Sequence, residues 1–228
     1  MKLLALNGSP HGKFGSCSYL IKCMFEECQK LGAETEEIRL FKQKINFCTG
    51  CGKCMSEGEC VQKDDTKEIQ DKMREADGIV LASPVWVLHV TGILKNFIDR
   101  CLPMGHRPGL QGKYAASLSA FAGIGDIEMV ADYMLNFIVG QGAYSVGKVC
   151  AFTMDLKISK EDQEKARQLG RNMMDAYHAK KDPDWENKVF KREEFRHMKE
   201  FITTRKDFAK EDYKYWQEKG WLEEDMDR

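Results

Sequence analysis

At 228 residues, with nine cysteines and a formal net charge of −1, the chain is long enough for one ample domain, or for a domain with an extension. A charge so near zero gives no reason to expect nucleic acid or an anionic membrane as an obligatory partner. No run approaches the ~18 apolar residues of a membrane span, and Leu3–Leu6 is too short for a signal-peptide core, so a cytoplasmic protein with reduced thiols is expected.

Lys2–Leu6 predicts a short buried strand that ends at Asn7-Gly8-Ser9-Pro10. Gly12, Gly15, Ser16 and Ser18 then precede a helical pattern of Leu20, Cys23 or Met24, Glu27 and Leu31, closed by Gly32. A strand running into a Gly/Ser loop and a helix N-terminus is an anion site, because backbone N–H groups and the helix dipole converge there. The loop is neither a Walker loop nor a G-x-G-x-x-G fingerprint. Ser9, Ser16 and Ser18, with His11 or Lys13 for charge, suit a phosphate held without magnesium. An ordinary loop whose serines only cap the helix is the alternative. Glu34–Leu40, of mixed polarity, predicts a second strand near a sheet edge.

Cys48, Cys51, Cys54 and Cys60 follow with the spacing C-x2-C-x2-C-x5-C. Three thiols at consecutive x2 spacing match the start of bacterial-type ferredoxin runs. Gly50, Gly52 and Gly58 supply the tight turns that wrapping a cluster requires, and Lys53 sets a positive charge beside the thiolates. A structural zinc, disulfides and a loop without metal are the competing readings.

Asp65, with Glu68 three residues on, predicts a capped helix whose inward residues are Ile69, Met73 and Ala76. Gly78–Ala82 is the clearest buried strand; Pro84 is expected to stop it and leave Trp86 in the loop at its carboxyl end. Open α/β sheets bind ligands at that edge, although a core tryptophan is the alternative. Thr91–Cys101 predicts a helix, Pro103–Gly112 a loop, and Tyr114–Phe121 a fourth strand that opens into Ala122-Gly123-Ile124-Gly125-Asp126. Ile127–Val139 reads as a helix, Tyr144–Phe152 as a fifth strand, and Ser159 with Asp162 caps a further helix. Such alternation with short links predicts an α/β fold, a doubly wound five-stranded parallel sheet.

A composition shift near Asp182-Pro183 divides residues 1–182, with the cysteine loop inserted at 44–63, from a densely charged extension over 183–228. Phe195, Met198 and Ile202 mark one helix of that extension, and Phe208, Tyr215 and Trp216 a second. Trp185 and Phe190 add to an aromatic content out of keeping with a disordered tail. The two helices are expected to pack across a subunit boundary in a homodimer or homotetramer; docking on their own domain is the plainer alternative.

With these segments in order, the chain resembles the iron–sulfur flavoproteins, a group within the flavodoxin-like NAD(P)H-dependent FMN reductase superfamily. The resemblance rests on Asn7–Pro10 with Gly15–Ser18, the cysteine run with Asp64-Asp65, Ala76–Gly78 through Ser83–Trp86, and Leu94–Arg100. It implies an FMN whose phosphate lies at Ser9, His11, Lys13, Ser16, Cys17 and Ser18. The ring would lie against Pro84, Val85, Trp86 and Val87 and the loop of Ala120, Ala122, Gly123 and Asp126. It also implies a [4Fe–4S] cluster on Cys48, Cys51, Cys54 and Cys60. Ser16-Cys17 stands where the family commonly has Asn-Thr, and Trp86 where a tyrosine is usual. The tail beyond about Pro183 falls outside the resemblance.

A flavin takes a hydride as an electron pair while a cubane passes electrons singly, so the resemblance implies an oxidoreductase that needs no side chain as nucleophile or general base. The implied donor is ferredoxin or NAD(P)H. The implied acceptors are quinones, nitro or azo compounds, oxygen or peroxide, or a protein. A clusterless NAD(P)H-dependent FMN or quinone reductase and a non-enzymatic electron carrier or redox sensor are the competing functions.

Overall fold

Leu3–Leu6 and Ile79–Ala82 are apolar at every position instead of alternating, as strands covered on both faces must be. In the computed structural model, which describes residues 1–123, 125–153, 157–181 and 192–223, these two runs pair in parallel near the middle of one sheet. The strands are β1 (Lys2–Asn7), β2 (Glu34–Arg39), β3 (Gly78–Pro84), β4 (Tyr114–Phe121) and β5 (Tyr144–Phe152), all parallel, in the order β2-β1-β3-β4-β5. The helices are α1 (Ser16–Lys30), α2 (Lys53–Ser56), α3 (Thr66–Glu75), α4 (Gly92–Arg100), α5 (Leu102–His106), α6 (Ile127–Val139), α7 (Lys160–His178), α8 (Arg192–Thr204) and α9 (Lys210–Glu218).

Successive residues of a strand face opposite sides, and β1 divides accordingly. Leu3 and Ala5 join Leu20, Met24, Leu169 and Met173 of α1 and α7 on one face. Leu4 and Leu6 join Ile69, Leu94, Phe97 and Met134 of α3, α4 and α6 on the other. A third, smaller core of Phe195, Ile202, Trp216 and Trp221 belongs to α8, α9 and the turn after α9. The order reversal between β1 and β3 places a crevice at their carboxyl ends, the usual ligand edge of this architecture.

The first and last helices of the doubly wound body approach very closely. A Cβ on Gly170 of α7 would lie 2.6 Å from the Met24 carbonyl oxygen and 3.2 Å from Cys28 Sγ. Gly170→Ala is therefore expected to lower stability by ~1–3 kcal/mol through overpacking. Urea unfolding should show a lower midpoint at unchanged slope; an unchanged midpoint would mean that α1 and α7 separate freely.

Pro84 is the last residue of β3, as expected; it pairs with Ala120, and the Val85 N–H just beyond it donates to the Ala120 carbonyl at 2.9 Å. Three expectations are corrected. The segment read as a loop from Pro103 begins with α5, because Pro103 sits in its first turn, where no N–H is required. Asp65 stands at the N-cap of α3 but makes no capping bond; its carboxylate accepts the Lys44 N–H at 2.7 Å instead. Finally, α8 and α9 are seated on their own chain, where Trp216 Nε1 donates to the His106 carbonyl at 2.8 Å and the Tyr215 hydroxyl to the Pro108 carbonyl at 2.9 Å. The boundary near Asp182-Pro183, with Trp185 and Phe190, lies outside the described residues.

Candidate cofactor sites

The loop after β1 is tied down from below. Gly8 N–H donates to the Ala82 carbonyl, and the Thr91 hydroxyl donates to the Gly8 carbonyl, both at 2.8 Å. Ser9 is buried, its N–H donating to Asn7 Oδ1 at 2.8 Å, while His11 and Lys13 are exposed. Helix α1 starts at half-buried Ser16, and its N-cap Gly15 brings no side-chain cap. The first-turn N–H groups are thus left to a ligand or water, the condition that suits an anion.

Cys17 and Ser18 take a different part from the one their position suggests. Cys17 points into the core and burial pushes its thiol up to about 12. Ser18 Oγ lies 2.8 Å from Asn7 Nδ2, 2.8 Å from the Gly12 carbonyl and 2.9 Å from Glu37 Oε1. Both side chains are engaged beneath the loop, which leaves their backbone N–H groups to face an anion. Burial alone would raise the Glu37 carboxyl, but hydrogen bonds from Asn7, Arg39 and Ser18 together leave it below its ordinary range. The sequence reading missed Asn7, Glu37 and Thr91; the charged Glu37 on an edge strand resembled ordinary surface.

The loop after β3 turns back at once. Trp86 N–H donates to the His89 carbonyl at 2.8 Å and His89 N–H to the Trp86 carbonyl at 3.1 Å, with Val87 and Leu88 at φ 48° and 68°. Left-handed backbone costs such residues about 1–3 kcal/mol each and is concentrated at ligand clamps. Trp86 is no core residue: it is 48 % exposed and Val87 97 %. The Trp86 ring meets the His11 ring edge-on at 6.4 Å. A Cβ on Gly125 would lie 3.2 Å from Leu88 Cδ2, so the loop after β4 comes up against the same turn. Ala120 is buried at the end of β4, Ala122 and Gly123 are exposed, and Asp126 Oδ1 caps α6 by accepting the Met129 N–H at 2.9 Å. Pro84 and Val85 form the floor between these loops, half-buried and buried. The loops after β1, β3 and β4 therefore meet along one sheet edge.

The cysteine loop lies on α4 and α5. Buried Arg100 donates from Nη1 to Asp64 Oδ2 at 2.6 Å and to the Asn46 carbonyl at 2.8 Å; its Nη2 donates to Asp64 Oδ1 at 3.2 Å and to Cys60 Sγ at 3.4 Å. Asn96 Nδ2 adds a bond to the Ile45 carbonyl at 3.0 Å. Cys48 and Cys51 are exposed, Cys54 and Cys60 half-buried, and all four are free thiols. The Lys53 N–H and the Thr49 hydroxyl lower the Cys51 thiol, whereas burial, then the charges of Cys60 and Asp212, raise Cys54.

As a donor set these residues suit an iron–sulfur cluster. Four thiols share one loop, Gly50, Gly52 and Gly58 are all at positive φ, and Arg100 offers a cation to a thiolate. They are not drawn into a ligand shell, since among the described residues no three His, Cys, Asp or Glu side chains form a metal-binding group. A groove of about 700 Å³, lined by Cys101, His106, Phe137, Met198 and Phe201 among others, lies between α4, α5, α6 and α8.

Residues 1–157 match the sequence model of the family described as NADPH-dependent FMN reductase. An iron–sulfur flavoprotein of Archaeoglobus fulgidus is 38% identical over 226 residues, covering 97% of this chain and 100% of that protein. The chain belongs to the iron–sulfur flavoproteins of this FMN reductase family. Another member, from Methanocaldococcus jannaschii, is 33% identical over 76% of this chain and 95% of its own length. Among solved structures, a flavone reductase superposes with TM-score 0.63 at 21% identity, covering 84% of this chain and 66% of that chain. An NADH:FMN oxidoreductase in its apo form gives 0.56 at 21% identity, over 78% and 89%. At such identities the two show the fold.

As a family member the chain is a flavin-dependent oxidoreductase with FMN as its cofactor. The Archaeoglobus match runs through the tail, which corrects the expectation that the tail stands outside the family. Among the described residues no helix is long and apolar enough to cross a membrane.

Proposed function

We propose that this flavoprotein holds FMN at the meeting of the β1, β3 and β4 loops and a [4Fe–4S] cluster on Cys48, Cys51, Cys54 and Cys60, and moves electrons from NAD(P)H or ferredoxin to a small-molecule or protein acceptor. The observation that carries the flavin half is the contact of three ligand loops at one sheet edge, with an uncapped helix N-terminus at one end and a half-exposed indole at the other. The flavin, when bound, supplies hydride chemistry and the cluster single-electron transfer.

The protein's own part is position and charge. The α1 N–H groups, with Ser9, Ser16, His11 and Lys13, hold the phosphate end. Trp86 offers its exposed face to the ring, and Phe14, Val87 and Leu88 give the rim an apolar surface that a ring or a nicotinamide can cover. No side chain is assigned a proton-transfer role. Four accessible free thiols suit a reducing, cytoplasmic setting.

The description of the matching family, an NADPH-dependent FMN reductase, supports a second reading, a clusterless NAD(P)H-dependent FMN or quinone reductase. Anaerobic purification with counts of iron, sulfide, zinc and flavin, together with an absorption spectrum, separates the two. Cys51→Ala is expected to lose most of the iron and keep most of the FMN, because the sites use different loops. A variant with full iron and an unchanged spectrum would remove Cys51 from the ligand set.

A further inference from the structure

We propose that α9 is the outer wall of the cysteine loop, and that Asp212 is the positioning residue which, through Arg107, fixes the path of the chain across Cys54. The proposal rests on the reading that these cysteines hold a cluster, and it concerns residues that no part of that reading uses.

Asp212 lies near the start of α9, and its side chain is wholly buried. A buried carboxylate needs partners, and it has two from α5 and its flank. Its Oδ2 is 2.8 Å from His106 Nδ1, and its Oδ1 forms a 3.0 Å ion pair with Arg107 Nε at an angle short of a hydrogen bond. That arrangement turns the Arg107 fork toward the loop. Nη2 donates to the Cys54 carbonyl at 2.9 Å and to the Gly58 carbonyl at 2.7 Å. The backbone at Cys54 and at Gly58, on the way to Cys60, is thereby tied to a cation that the tail orients.

Two more tail contacts bracket the same segment. The Phe208 ring presses on Gly52, where a Cβ would come within 2.3 Å of Cζ, and a Cβ on Gly58 would lie 3.5 Å from Glu211 Cγ. Trp216 and Tyr215 anchor α9 on α5 through the carbonyls of His106 and Pro108. A pair serving stability alone could be replaced by apolar packing. Here the guanidinium bonds two loop carbonyls as well, which apolar packing cannot reproduce.

The test uses full-length protein prepared anaerobically. Asp212→Asn keeps the shape and removes the charge. In the loaded protein it is expected to speed iron loss to a ferrous chelator about tenfold while FMN content stays at the wild-type level. In metal-free protein, alkylation of Cys54 should rise several-fold relative to buried Cys101, a contrast that general loosening would not produce. Wild-type rates in both arms, with FMN bound, would overturn the proposal. A wild-type protein that holds no iron would sink the cluster reading, and the alkylation arm would still decide the positioning role. Should Asp212→Asn fail to fold and lose FMN as well, Phe208→Ala carries the test, since Phe208 is half-exposed and lies against the loop: faster Cys54 alkylation supports the wall, and an unchanged rate refutes it.

Discussion

Arg100→Ala is expected to lower stability by about 3–5 kcal/mol, because it leaves the Asp64 carboxylate buried without its partner. The pair joins α4 to the end of the cysteine loop, with both side chains almost fully shielded from solvent. Burial alone would raise the Asp64 carboxyl. The Arg100 guanidinium, with the N–H groups of Asn46 and Thr66, outweighs that and holds it down at about 2. A depressed carboxyl contributes stability that is fully present above its unfolded value, ordinarily ~4, and is lost as pH falls through its folded value. Wild-type stability should therefore fall between about pH 4 and pH 2, by more than that of Asp64→Asn over the same range. Urea midpoints at pH 7, 4 and 3 check both statements. An Arg100→Ala midpoint near wild type would show that solvent reaches Asp64.

Ser16→Asp should weaken FMN binding about a hundredfold, or about 3 kcal/mol. It places a carboxylate in the first turn of α1, against a phosphate dianion in a partly dry site where charges are poorly screened. Riboflavin lacks the phosphate and should lose little. Titration of metal- and flavin-free protein with each ligand, followed by flavin fluorescence, reads the difference. Equal losses for both would move the phosphate away from α1.

The sheet was legible because its middle strands β1 and β3 are built on continuous apolar runs and its helices carry stripes, and both patterns are local. α5 was not, since Pro103 and Gly105 are loop residues by composition although a helix tolerates proline in its first turn. The burial of Cys17 was within reach: with Leu20, Ile21, Met24 and Cys28 it completes the inward stripe of α1. The polar networks were out of reach. Asp64 and Arg100 stand 36 residues apart and His106 and Asp212 stand 106 apart, and each charge looks like solvated surface until the fold brings its partner. The tail misled for the same reason, because its charged faces conceal Asp212, the one buried carboxylate among its described residues.

The chain position of Phe208 and Asp212 also has a bearing on biosynthesis. β1 to β5, the three loops proposed for the flavin and α7, which covers one sheet face, all fall within residues 2–178, so they can assemble while the remainder is still being translated. The groups that close over Gly52 and Gly58 are made near the end, and their contact spans most of the sequence, a kind of pairing that forms late. A nascent chain thus has its flavin pocket before its thiols are fenced. For the cluster proposed above, the interval between the two events is the expected window for metal delivery, and it ends when α9 docks.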